Sequence, residues 1–137
     1  MTPMQILINV DVDDLNKAIQ FYESAFALKV GRRLGADGVE MLGMSSPIYL
    51  LAKAAGTTAA GTTALKRSYA RHWTPVHFDF VVEDIESAVR QAVAAGAQLE
   101  SAVTTAKWGR LALMADPFGH GFCFVQFLGR GYDEMAC

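Results

Sequence analysis

The chain has 137 residues, 52% of them apolar, and a formal net charge of −2. That length fits one domain able to bury about 70% of its unfolded surface, and the near-neutral charge excludes the strongly basic face that nucleic-acid binding needs. No apolar run approaches the roughly 18 residues of a membrane span, and Met1-Thr2-Pro3-Met4-Gln5 lacks a signal peptide's basic and apolar regions, so a cytoplasmic protein with no membrane or nucleic-acid partner is expected.

Met4–Val12 is apolar, β-branched and short, which predicts a strand. Asp13 or Asp14 can cap the helix after it, because a short acidic side chain accepts from the free N–H groups of a first turn. Leu15, Ala18, Ile19, Tyr22 and Phe26 recur at helical spacing and make one apolar stripe. Strands are expected at Lys29–Leu34, Val39–Gly43 and Pro47–Lys53, the first two joined by a Gly35-Ala36-Asp37-Gly38 turn.

Ala55-Gly56-Thr57-Thr58-Ala59 is followed at once by the same five residues, Ala60 to Ala64. Such a tandem pentad cannot bury enough surface to offset its ordering entropy. Residues 55–73 therefore read as a flexible linker or a lid, with the basic Lys66–His72 stretch as solvated loop. Tyr69, His72 and Trp73 at its far end are the groups able to meet a ligand.

A strand is then expected at Pro75–Val82, followed by a helix capped by Asp84 and carrying Ile85, Ala88, Val89, Ala92 and Val93. Gly96 suits a left-handed helix end. Strands follow at Gln98–Thr105, Arg110–Ala115 and Gly121–Phe127, with Asp116-Pro117-Phe118-Gly119 as a turn. The tail from Gly129 reads as an unpaired arm. Cys123, within Phe122-Cys123-Phe124, reads as a small buried hydrophobe, and Cys137 is terminal, so no disulfide framework or CxxC chemistry is implied.

Two segments echo each other. Val12-Asp13-Asp14-Leu15-Asn16-Lys17-Ala18-Ile19 is answered 70 positions later by Val82-Glu83-Asp84-Ile85-Glu86-Ser87-Ala88-Val89. One α+β domain of residues 1–137 follows: similar halves at 4–54 and 74–128, the 55–73 linker, and a 129–137 tail. Facing halves would leave a cleft for a ligand.

The duplicated order, with Asp14-Leu15 and Phe21-Tyr22 in the first half and Asp116-Pro117-Phe118-Gly119 closing the second, resembles the vicinal-oxygen-chelate superfamily over about residues 4–128. This is the glyoxalase, bleomycin-resistance and extradiol-dioxygenase group. The resemblance implies two βαβββ modules with curved mixed sheets, related by pseudo-twofold symmetry and often assembled as a homodimer. It does not settle activity, since such folds host several chemistries.

Metal-dependent relatives place a ligand seven residues before each capping aspartate. That position is His77 in the second half and Leu7 in the first. The usual final carboxylate, four residues after the glycine of Asp-Pro-x-Gly, is Cys123. The remaining ligand would come from Tyr49 to Leu51, where no carboxylate or imidazole occurs. Three of four positions are unmatched, too few for an open catalytic site. No metal or other cofactor is expected, although His77 with a Cys123 thiolate could hold a soft ion.

Strand alternation puts Leu7, Asn9 and Asp11 on one wall, and His77, Asp79 and Val81 on another. Trp108 and Arg110 suit stacking and anion contact, or are an ordinary surface pair. The expected ligand site is Asn9, Asp11, His77, Asp79, Trp108, Arg110 and Cys123, with no catalytic residue assigned. A Cys123 nucleophile would need His77 as base. The leading expectation is a metal-free binding protein enclosing a partly aromatic or anionic small molecule between its sheets. The alternatives are a lyase, isomerase or dioxygenase with an altered metal site, and a protein-contact module with a vestigial pocket. The sequence does not name the ligand or settle whether a reaction is catalysed.

Overall fold

The computed structural model describes residues 2–59, 61 and 64–137. The chain divides into two compact units, Met1–Tyr69 and Ala70–Cys137. The division falls inside the expected linker, and each unit holds one helix on a mixed sheet.

In the first unit the strands are β1 (Ile8–Val12), β2 (Lys29–Arg33), β3 (Gly38–Leu42) and β4 (Ile48–Ala52), and helix α1 spans Leu15–Phe26. The sheet order is β1-β4-β3-β2, with β1 parallel to β4 and the other pairs antiparallel. Asp14 is the cap: its side chain accepts from the Lys17 N–H at 3.1 Å. Ala18, Ile19, Phe21, Tyr22 and Ala25 are buried, so the apolar stripe faces the sheet. Val10, Val12, Val39, Met41, Ile48 and Leu50 supply the other half of that core.

The second unit repeats the plan. Its strands are β5 (Phe78–Val81), β6 (Gln98–Leu99), β7 (Thr104–Thr105), β8 (Gly109–Ala115) and β9 (Gly121–Phe127), with α2 at Ile85–Ala95. The sheet runs β5-β9-β8-β6, β7 also pairs with β8, and β5 is parallel to β9. Asp84 caps α2 through the Ser87 N–H at 3.2 Å, and Gly96 closes it with φ of 120°. In both units the first strand is an edge strand parallel to the last, so the echoing segments hold equivalent topological places.

Four details depart from the sequence reading. Both first strands are shorter than expected, because the ladder begins only at Ile8↔Ile48 and Phe78↔Phe122. Met4, Ile6 and Leu7 are left exposed. The single strand expected over Gln98–Thr105 is two short ones: between Leu99↔Met114 and Thr104↔Leu111, five steps on one side match three on the other.

The tail is not an unpaired arm. Gly131–Glu134 forms a 3-10 helix, and Glu134 accepts from the Arg130 side chain at 3.0 Å. Nor is the linker featureless. Arg67 sends Nε to the Asp11 carboxylate at 2.8 Å, and its Nη groups to the Thr58 and Ala59 carbonyls at 2.6 and 2.9 Å. One guanidinium thus satisfies the loop backbone that the threonine-rich pentad could not bury by itself. Ala60, Thr62 and Thr63 of the pentads lie outside the described residues.

Candidate functional site

In the second unit, Asp79 on β5 sits directly beside Cys123 on β9, so their side chains share a face. Phe78 and Phe80 point the other way, where Phe80 packs against Phe122 and Phe124 at ring separations of 5.5 and 6.3 Å. That is the helix side, since Gln126 two residues on accepts from the first N–H of α2 at 2.9 Å. The opposite, helix-free face carries His77, Asp79 and Cys123.

His77 Nε2 is 3.3 Å from an Asp79 carboxylate oxygen. With the Cys123 sulfur, one ligand atom from each residue lies within 4.8 Å of the others. Cys123 is buried, and its thiol is pushed up to about 11, first by burial and then by the charge and hydrogen bond of Asp79. At neutral pH it carries its proton and donates to Asp79. It is a weak nucleophile in that state, and a metal ion would have to displace the proton. A hard divalent ion would find one imidazole and one carboxylate here, a poor match for an oxygen-rich shell.

Trp73 fixes the ring of His77. The two rings lie 4.6 Å apart at 37°, and the Arg71 guanidinium stands 5.6 Å from the Trp73 ring centroid. Gly121 makes the room: a Cβ there would collide with the Trp73 ring and the Arg71 side chain. Arg71 is in turn held by Glu100, with both nitrogen–oxygen distances at 2.6 Å.

The first unit has its own polar group on its helix-free face. Tyr49 pairs with Asn9 on one side and with Glu40 on the other, so all three point the same way. Glu40 is buried. Its Oε1 accepts from the Arg32 backbone N–H and Nε, both at 3.1 Å. Its Oε2 accepts from Arg32 Nη2 at 2.7 Å and from the Tyr49 hydroxyl at 3.1 Å. These bonds, led by the Arg32 side chain, hold the carboxyl at about 2 despite burial. A cavity of about 440 Å³ opens beside them, lined by Gln5, Leu7, Arg32, Glu40, Ser46 and Tyr49 among others.

Of the seven expected ligand residues, His77, Asp79 and Cys123 come together. Asn9 and Asp11 share a face of the first unit, where Asp11 is tied to Arg67. Arg110 is turned away from the trio, which corrects its placement. Trp108 packs against Phe127 and Tyr132 at 6.3 and 5.3 Å. Arg110, paired across the sheet with Gln126, lies on the helix side and holds Glu86 at 2.8 Å. For Arg110 the β8–β9 register runs one residue out of phase with the face it would need. Sequence reasoning also passed over Arg32 and Glu40. The available signal was a lone carboxylate inside the apolar run Val39-Glu40-Met41-Leu42.

Residues 7–125 match the family model of a glyoxalase-like domain. An uncharacterized protein of Mycobacterium bovis is 33% identical over 129 residues, spanning 84% of this chain and 78% of its own. The anthracycline biosynthesis protein DauV of a Streptomyces species is 30% identical over 134 residues, spanning 94% of this chain and 43% of its own. Among solved structures, the fosfomycin resistance protein FosX of Listeria monocytogenes superposes with a TM-score of 0.74 at 16% identity, over 99% of this chain and 100% of FosX. Lactoylglutathione lyase of Agrobacterium tumefaciens gives 0.62 at 16% identity, over 92% and 96%. At such identities these likenesses speak for the fold.

Proposed function

The chain belongs to the glyoxalase-like family of the vicinal-oxygen-chelate superfamily, and from that premise we propose that it binds a partly aromatic or anionic small molecule with no metal at the His77 position. The observation that carries this reading is the protonated, buried Cys123 thiol where the metal-dependent pattern has a carboxylate, hydrogen-bonded to Asp79 beside the lone imidazole. That trio can donate and accept hydrogen bonds without an ion. Arg32, rigidly paired with Glu40, offers its remaining guanidinium hydrogens to an anionic or carbonyl group at the first unit's cavity. The likeness to an anthracycline biosynthesis protein supports a flat aromatic ligand. A homodimer belongs to the same proposal, because Ile6, Leu7 and Val81 are large apolar side chains left exposed by a single chain.

The test is elemental analysis of protein purified without chelator, beside a thermal-shift screen of aromatic acids and anthracyclines. The expected result is no divalent metal that depends on His77, and ligands whose stabilisation is weakened in His77→Ala or Arg32→Ala. Ligands that bind both variants as tightly as the parent would refute the site.

The second reading is an enzyme with an altered metal site. It is favoured by the convergence of His77, Asp79 and Cys123 within 4.8 Å. A soft ion such as zinc could take the thiol as thiolate. About one zinc per chain, lost in His77→Ala and in Cys123→Ser, would establish this reading and end the first.

A further inference from the structure

Two of the three histidines lie outside that site and meet each other. His72 and His120 are joined by a parallel bridge between their backbones, which brings the end of the linker against the Asp-Pro-x-Gly turn. The His72 N–H bonds to the Gly119 carbonyl at 3.0 Å. The turn itself is fixed by Asp116, whose Oδ1 accepts from the Phe118 and His120 N–H groups at 2.8 and 2.9 Å. Both imidazoles are therefore mounted on well-bonded backbone. Their rings meet edge to face, 5.2 Å apart at 89°.

We propose that His72 Nε2 and His120 Nδ1 form a bis-imidazole site for a borderline divalent cation such as Zn²⁺, separate from the His77 cluster. The two nitrogens stand 3.4 Å apart. With Zn–N bonds of roughly 2.0–2.1 Å, that separation subtends about 110° at the ion, a tetrahedral angle. His72 Nδ1 lies 3.0 Å from the Ala70 carbonyl, which only accepts, so Nδ1 carries the proton and Nε2 presents its lone pair. A backbone carbonyl on the far nitrogen is the usual way a metal-binding imidazole is oriented.

Without an ion, His120 Nδ1–H donates to His72 Nε2. With one, His120 moves its proton to Nε2 and both facing nitrogens become donors to the metal. Water completes the shell. The surrounding charge permits a cation: Asp116 contributes a carboxylate to this turn, and the nearby Arg71 is neutralised by Glu100. The ion would staple the linker's end to the turn. Arg71 and Trp73, which buttress His77, flank that stapled residue.

The experiment is Zn²⁺ titration of the full chain by calorimetry, with imidazole proton signals followed by NMR. One Zn²⁺ per chain is expected, with a rise in melting temperature. The His72 and His120 signals should shift while that of His77 stays. His72→Asn and His120→Asn should each weaken binding at least tenfold, while His77→Ala and Cys123→Ser leave it unchanged. Absence of binding, retention in either asparagine variant, or loss in His77→Ala would overturn the proposal. The NMR pattern on the parent protein decides the matter if a variant fails to fold. The site stands apart from the ligand reading above, so either can fail alone.

Discussion

Glu40 is a buried carboxylate that its neighbours keep charged. Its carboxyl is held at about 2, against an ordinary value of 4.5, chiefly by the Arg32 side chain. A depressed folded value means the stabilisation is present above the unfolded value and is lost as pH falls through the folded one. The parent should therefore lose stability between about pH 4.5 and 2. Glu40→Gln should be less stable at neutral pH and show a shallower loss across that window, measured by urea unfolding at several pH values. Gly31 belongs to the same group, since a Cβ there would lie 2.6 Å from Glu40 Oε1. Gly31→Ala should push the carboxylate off Arg32 and reproduce part of the Glu40→Gln phenotype. At Cys123 the sign is reversed in use. Asp79 helps push the thiol up to about 11, so Asp79→Asn should lower it and speed alkylation in a Cys137→Ser background. An unchanged rate would remove Asp79 from this account.

At the scale of elements, the helices were legible because their determinants are local. Asp14 and Asp84 each precede an apolar stripe, and each side chain accepts from the N–H three residues on. Asp84→Ala should cost about 1 kcal/mol of unfolding free energy, the usual effect of a lost cap. The strands were legible in order but not in extent, and the eight expected are nine among the described residues, because a strand lasts only as long as its partner does. Ile6 and Leu7 look like strand residues yet lie beyond the ladder that starts at Ile8↔Ile48. The break within Gln98–Thr105 and the clamp of Arg67 on Asp11, 56 positions apart, depend on partners no local pattern reveals. The nearness of His77, Asp79 and Cys123 was legible for a related reason. His77 and Asp79 share a face by simple alternation, and Asp-Pro-x-Gly counting put Cys123 beside them. Arg110 turns to the helix side because its face depends on the β8–β9 register.

The whole molecule is a glyoxalase-like chain whose buried Cys123 thiol keeps its proton beside Asp79. As a homodimer it should show about twice the chain mass of 14.8 kDa by light scattering at micromolar concentration, and a monomer would contradict that part of the proposal. The central claim is that ligand binding needs no metal at His77. The most direct measurement is a thermal-shift titration of chelator-treated protein with the aromatic or anionic ligands that the screen returns. The account predicts a concentration-dependent rise in melting temperature that is unchanged by added divalent metal and reduced in His77→Ala. A rise that appears only when metal is restored, and disappears in Cys123→Ser, would contradict it.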